Sequence, residues 1–104
     1  MRQYRLYLPL NYNDGQPVPV ETINTVRDQL AEKFGGTTVS PLSAPYKGPW
    51  KYGSVEYIDN IVTMEVIADD DADTGKFFRD LKEQLKRELR QVEILITIHS
   101  IEVI

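Results

Sequence analysis

The sequence predicts an α+β domain of ferredoxin-like type, a βαββαβ sandwich in which an antiparallel sheet carries two helices on one face. Three observations lead there. Apolar residues alternate at a spacing of two in some segments and recur at three and four in others. These segments follow one another in the order strand, helix, strand, strand, helix, strand, which is the split βαβ arrangement. A chain of 104 residues has room for one core, since two would each be too small to hold themselves together without staples. Residues 1–104 therefore read as a single domain.

The first strand is Tyr4 to Leu10, with Tyr4, Leu6, Leu8 and Leu10 on one side and Arg5 and Tyr7 on the other. It stops at Asn11-Tyr12-Asn13-Asp14-Gly15, residue types that accept turn conformations, and Pro17 and Pro19 then prevent regular pairing. From Val20 to Phe34 the apolar positions Ile23, Val26, Leu30 and Phe34 form one helical stripe. Pro19 suits its first turn, and Gly35-Gly36 can supply a left-handed stop.

Thr37 to Ser40 reads as a short strand, and Pro41 to Gly53, with three prolines and two glycines, as an ordered loop or bent edge. Asn60 to Ala68 alternates strictly and is the expected central strand. Asp69, Asp70, Asp71 and Asp73 then offer carboxylates to the start of a second helix, Thr74 to about Arg90, whose stripe is Phe77, Phe78, Leu81, Leu85 and Leu89. The last strand is expected within Val92 to Ile104, with Leu95, Thr97 and His99 facing away from Val92, Ile94, Ile96 and Ile98, and a covered apolar tail after it.

Composition removes several classes of function. Without cysteine there is no disulfide, thiolate nucleophile or cysteine-held metal cluster. One histidine forbids a His-His zinc pair within the chain, so no metal site is expected. The alternate aspartates before the second helix resemble the start of a calcium loop, but Thr74 stands where that loop needs glycine and Asp80 where it needs glutamate. No glycine loop that cradles phosphate precedes a helix, and no cofactor is implied. No apolar run approaches the roughly 20 residues of a membrane helix. The Arg2 and Arg5 region lacks a signal-peptide core, so the cytoplasm is the expected location. A net charge of −4 disfavours nucleic acid as a partner.

Phe34-Gly35-Gly36-Thr37-Thr38-Val39 followed by Gly48-Pro49-Trp50 resembles a family of uncharacterised bacterial ferredoxin-like proteins that carry F-x-G-x-T-V and G-x-W elements. The likeness spans roughly residues 10 to 70. It implies the fold and brings no activity or catalytic residues.

Tyr46, Lys47, Trp50, Lys51, Tyr52 and Tyr57 gather the single tryptophan and three of the six tyrosines into one stretch. Rings beside lysines can stack a planar ligand, but a small domain more often buries its largest side chains. The structural expectation is that Trp50 plugs the open edge of the sandwich while the tyrosines cover the loop. His99 lies on the sheet face away from the helices, where a nearby carboxylate or tyrosine would make a proton-transfer pair. The leading expectation is a homodimeric binding or assembly module that joins sheet faces or edges. Its small-molecule cavity would lie between the open sheet face and the aromatic segment, lined by Tyr46, Lys47, Trp50, Tyr57 and His99. A second expectation is a cofactor-free enzyme with His99 or Glu56 moving a proton and Tyr57 or Tyr46 orienting the substrate. A third is single-stranded nucleic-acid binding on the sheet, which the fold favours and the charge opposes.

Overall fold

The structure is a computed structural model that describes the backbone of all 104 residues and every side chain except those of Trp50, Tyr52 and residues 55–58. Its elements are β1 (Arg2–Pro9), α1 (Val20–Phe34), β2 (Thr38–Val39), β3 (Tyr46–Tyr52), β4 (Val55–Ala68), α2 (Ala72–Glu88) and β5 (Leu95–Ser100). All pairings are antiparallel, and across the sheet the order is β5, β1, β4, with β2 and β3 both on the far side of β4. Counting β2 and β3 as one interrupted edge gives the ferredoxin-like sandwich. No described helix is long and apolar enough to cross a membrane.

The alternation in the strands decides which face is covered. Tyr4, Leu6 and Leu8 of β1 stand opposite Val66, Met64 and Val62 of β4, and all six are buried. Ile23, Val26 and Leu30 of α1 and Phe78, Leu81 and Leu85 of α2 close over them. Aromatic rings knit the centre: Tyr4 and Phe78 stack at 4.3 Å between centroids, and Phe34 lies 5.4 Å from Phe78 on its other side.

The helix ends follow their local chemistry. Gly35 ends α1 in the left-handed region, with φ of 82° and its N–H donating to the Ala31 carbonyl. The helix α2 opens on Asp71, whose carboxylate accepts the Thr74 N–H at 2.8 Å. It closes on a Schellman turn in which the Gln91 N–H reaches the Lys86 carbonyl at 2.9 Å. Arg90 takes the left-handed position there at φ 54°, and its guanidinium lies 4.5 Å from the centre of the Tyr12 ring.

The Thr74 backbone hydrogen bond, aided by the Thr74 hydroxyl, holds the Asp71 carboxyl below its usual range. A depressed folded-state value means that stabilisation is complete above the ordinary aspartate range and is lost as the pH falls through the lower folded value. Asp71→Ala is therefore expected to lower Tm at neutral pH and to flatten the acid limb of a Tm-against-pH curve. An acid limb that coincides with the wild type would show that the cap contributes nothing to acid stability.

Three expectations need correction. Of the two readings of Pro41 to Gly53, loop or bent edge, the edge is the one realised, as β3, and the central strand begins at Val55, five residues before the alternation that announces it. The two form a hairpin around Gly53-Ser54, where Gly53 has φ of 65° and Ser54 does not share the positive φ, as a type II′ turn requires. Prolines that argue against a central strand are admissible here because β3 is an edge, and Pro49 needs no outward donor. The last strand is confined to Leu95–Ser100, and Val92 is 90% exposed because it sits in the turn between α2 and β5. Val103 and Ile104 are exposed as well, so the tail is not covered by its own chain.

Candidate functional site: the open sheet face and the hairpin arm

The register arranges the face without helices in rows that run across the strands, and two residues on it, Thr63 and Pro9, are buried. His99, Gln3 and Ile67 share one row; Thr97, Arg5, Glu65 and Thr38 the next; Leu95, Tyr7 and Thr63 the third; and Pro9, Ile61 and Tyr46 the fourth. Beyond the fourth row β1 has ended, apart from one bond from the Leu10 N–H to the Asn60 carbonyl, and β4 continues with β3 alone as a two-stranded arm. The arm accounts for a long axis of 43 Å against 27 and 26 Å for the other two.

A polar centre and an apolar flank divide this face. The Arg5 Nε donates to Glu65 at 2.7 Å, Gln3 donates to the same carboxylate at 3.1 Å, and both members of the ion pair are mostly covered. The Tyr7 hydroxyl, 3.5 Å from the Arg5 Nη1, and the closer Glu65 charge both raise the Arg5 pKa and keep it protonated. Beside this centre lie Leu95 and Tyr46, 56% and 59% exposed, with Tyr7 and Ile61 between them. Gly48 leaves room for that flank, because a Cβ there would fall within the Ile61 side chain. At the arm's base Lys47 donates to Asn60, which donates in turn to Asn11 at 3.2 Å.

The predicted ligand residues are only partly brought together. Tyr46 and Lys47 stand at the base of the arm, and Trp50 is the register partner of Tyr57 farther along it. The side chains of Trp50, Tyr57 and Glu56 lie outside the described residues, so whether Trp50 is core or pocket, and the proposed roles of Glu56 and Tyr57, rest there. His99 is placed elsewhere. Its row meets β4 at Ile67, ten residues from Tyr57, which at strand rise is about 33 Å. Within one chain the row of Tyr46, at Ile61, is six residues along β4 from that of His99, about 20 Å. The sequence showed His99 on the correct face and could not show its row.

Reading the sequence missed the Arg5–Glu65 pair. Both residues sit at odd positions of alternating segments, which assigns them to the open face, but only the β1–β4 register makes them neighbours. A groove of about 320 Å³ also runs between α2 and the outer strand β5, lined by Phe78, Arg79, Lys82, Ile96 and Ile98. Two cations near it are already engaged, Lys82 with Glu93 at 2.9 Å and Arg2 with Asp70 at 2.7 Å. Among the described residues no three His, Asp or Glu side chains converge as metal ligands.

No family model and no curated protein matches the chain. Two solved structures do match in shape. A phage SAM lyase in its apo state superposes with a TM-score of 0.69 at 15% identity, covering 94% of this chain and 78% of that one. A phage SAM lyase in complex with S-methyl-5′-thioadenosine gives 0.67 at 13% identity, covering 95% and 80%. At this identity the likeness establishes the fold.

Proposed function

We propose that this chain is a small homo-oligomeric binding module that seats a planar, adenosine-type ligand on its open sheet face, at the base of the hairpin arm. One observation carries the reading: the register sets Tyr7, Ile61 and Tyr46 in adjacent rows beside the Arg5–Glu65 pair. Aromatic and aliphatic side chains offer a flat apolar seat, and the neighbouring charged and amide groups can bond the edge of a purine or the hydroxyls of a ribose. A bound thioadenosine in a protein of the same fold gives the ligand class its support. Exposed Leu95, Ile67 and Ile98 support association between copies.

The same neighbours favour a second reading, an enzyme acting on SAM, with the open face as its substrate seat. One experiment addresses both. Calorimetric titration of the purified chain with SAM and with S-methyl-5′-thioadenosine is expected to give saturable binding, and chromatography of the SAM mixture reports any S-methyl-5′-thioadenosine formed. Binding without product supports the module, and product that grows with protein concentration supports the enzyme. No heat from either compound, with saturable binding to a single-stranded oligonucleotide at low salt, would replace both with nucleic-acid binding.

A further inference from the structure

We infer that two copies of this chain pair their β5 strands antiparallel about a two-fold axis at Thr97, and that each open face thereby receives the partner's His99. This rests on the reading of the open face as the ligand seat and says which surface makes the oligomer.

The two edges of the sheet are unlike. The β2–β3 edge carries Pro41, Pro45 and Pro49 with Lys47 and Lys51, the residue types that keep an edge from pairing with another chain. The β5 edge is Leu95-Ile96-Thr97-Ile98-His99-Ser100, without proline, lysine or any carboxylate, and β1 is its single strand neighbour. A strand of this composition with an open row of backbone donors and acceptors is a template for a further strand.

The strand also matches itself. A two-fold axis perpendicular to the sheet keeps each residue on its own face, so only residues of the same parity come opposite one another. Centred on Thr97, the pairing sets Ile96 against the partner's Ile98 on the helix side, on both sides of the axis. Ile98 is 50% exposed in the single chain and gains cover there. A centre one residue farther on would set Ile96 against Ser100 and forfeit that match.

Thr97 itself provides an independent sign. Its Oγ1 is buried and has no hydrogen-bond partner, which is uncommon for a buried hydroxyl. At the axis it meets the partner's Thr97, and a turn about χ1 that exchanges methyl and hydroxyl presents Oγ1 for a Thr–Thr bond across the strands.

The consequence for the site is specific. Leu95 has Tyr7 beside it on β1 and, in the dimer, the partner's His99 on its other side. The row across the open face becomes the partner's His99, Leu95, Tyr7 and Thr63. The imidazole then lies two strand spacings from Tyr7, about 10 Å, whereas a chain's own His99 stands about 14 Å away along its strand from Leu95. An imidazole that donates and accepts hydrogen bonds is thus added to a seat that a single chain leaves without one.

The test uses the full chain. Light scattering across a wide concentration range should give a dimer for the wild type and a monomer for Thr97→Lys, which puts two ammonium groups at the axis while melting and circular dichroism report an intact fold. Because the chain has no cysteine, Thr97→Cys with a short bismaleimide should give a covalent dimer, and Lys47→Cys on the opposite edge should not. Thr97→Lys and His99→Ala should each weaken S-methyl-5′-thioadenosine by about tenfold, the loss of roughly one good hydrogen bond. A monomeric wild type, or a dimer indifferent to Thr97→Lys, overturns the pairing. Unchanged affinity in both variants overturns the shared site. A β5-paired dimer that binds neither SAM nor S-methyl-5′-thioadenosine upholds the pairing and removes the ligand reading alone.

Discussion

Phe78→Ala is expected to remove about 3–5 kcal/mol of folding stability, the usual cost of emptying a buried aromatic site. In a small domain, whose whole stability is about 5–15 kcal/mol, that loss lowers Tm by at least about 12 °C. Phe78 is 5% exposed and lies between two rings, stacked on Tyr4 at 4.3 Å with 7° between planes and on Phe34 at 5.4 Å with 6°. Removing it leaves a gap bounded by β1, α1 and α2 together, and strands and helices cannot all relax into it. Phe77 meets Phe34 and Phe78 edge-on but is only partly buried, so Phe77→Ala should cost well under half as much. Urea unfolding of the two variants provides the comparison. Equal losses would show that the ring cluster is not organised around Phe78. A double-mutant cycle with Tyr4→Leu should return a coupling of about 0.5–1.5 kcal/mol, the portion due to ring geometry beyond area.

Tyr7→Ala is expected to weaken S-methyl-5′-thioadenosine by about one to two orders of magnitude, since stacking a base on an aromatic ring is worth about 1–3 kcal/mol. Tyr7 is only half-buried and on the face without helices, so the variant should stay folded with a modest change in Tm. Tyr7→Phe separates the two contributions of the side chain. It keeps the ring and removes the hydroxyl near Arg5, and should recover most of the affinity if stacking dominates. Affinity equal to the wild type in Tyr7→Ala would move the seat away from the third and fourth rows of the sheet.

The degree to which the chain announced its fold varies with the physics behind each element. Periodicity revealed α1 to its last residue, because the apolar stripe, the proline before it and the glycine after it are all local signals. The hairpin is only half announced: Gly53-Ser54 is a two-residue turn pair, but the prolines from 41 to 49 fit a loop and a bent edge alike, and only pairing with β4 selects the edge. The second helix began two residues early because Asp71, among four candidate carboxylates, is the one whose extended backbone lets it cap. Choosing between neighbouring aspartates depends on where the preceding strand delivers the chain.

The open face was legible as a set of odd-numbered residues, Arg5, Tyr7, Leu95 and His99 among them, and that followed from the period of two alone. Their arrangement was not. Arg5 meets Glu65 across a separation of 60 residues, and His99 falls into the row of Gln3 and Ile67 while Tyr46 joins that of Ile61. Alternation assigns a residue to a face; only strand pairing assigns it to a row, because the period is the same for every register that keeps the faces. By itself, then, the sequence determined the layered βαββαβ sandwich, the helix-covered core and the membership of the open face. The tertiary structure decided which members touch, how far the aromatic arm projects past β1, and that one edge of the sheet is guarded while the other is bare.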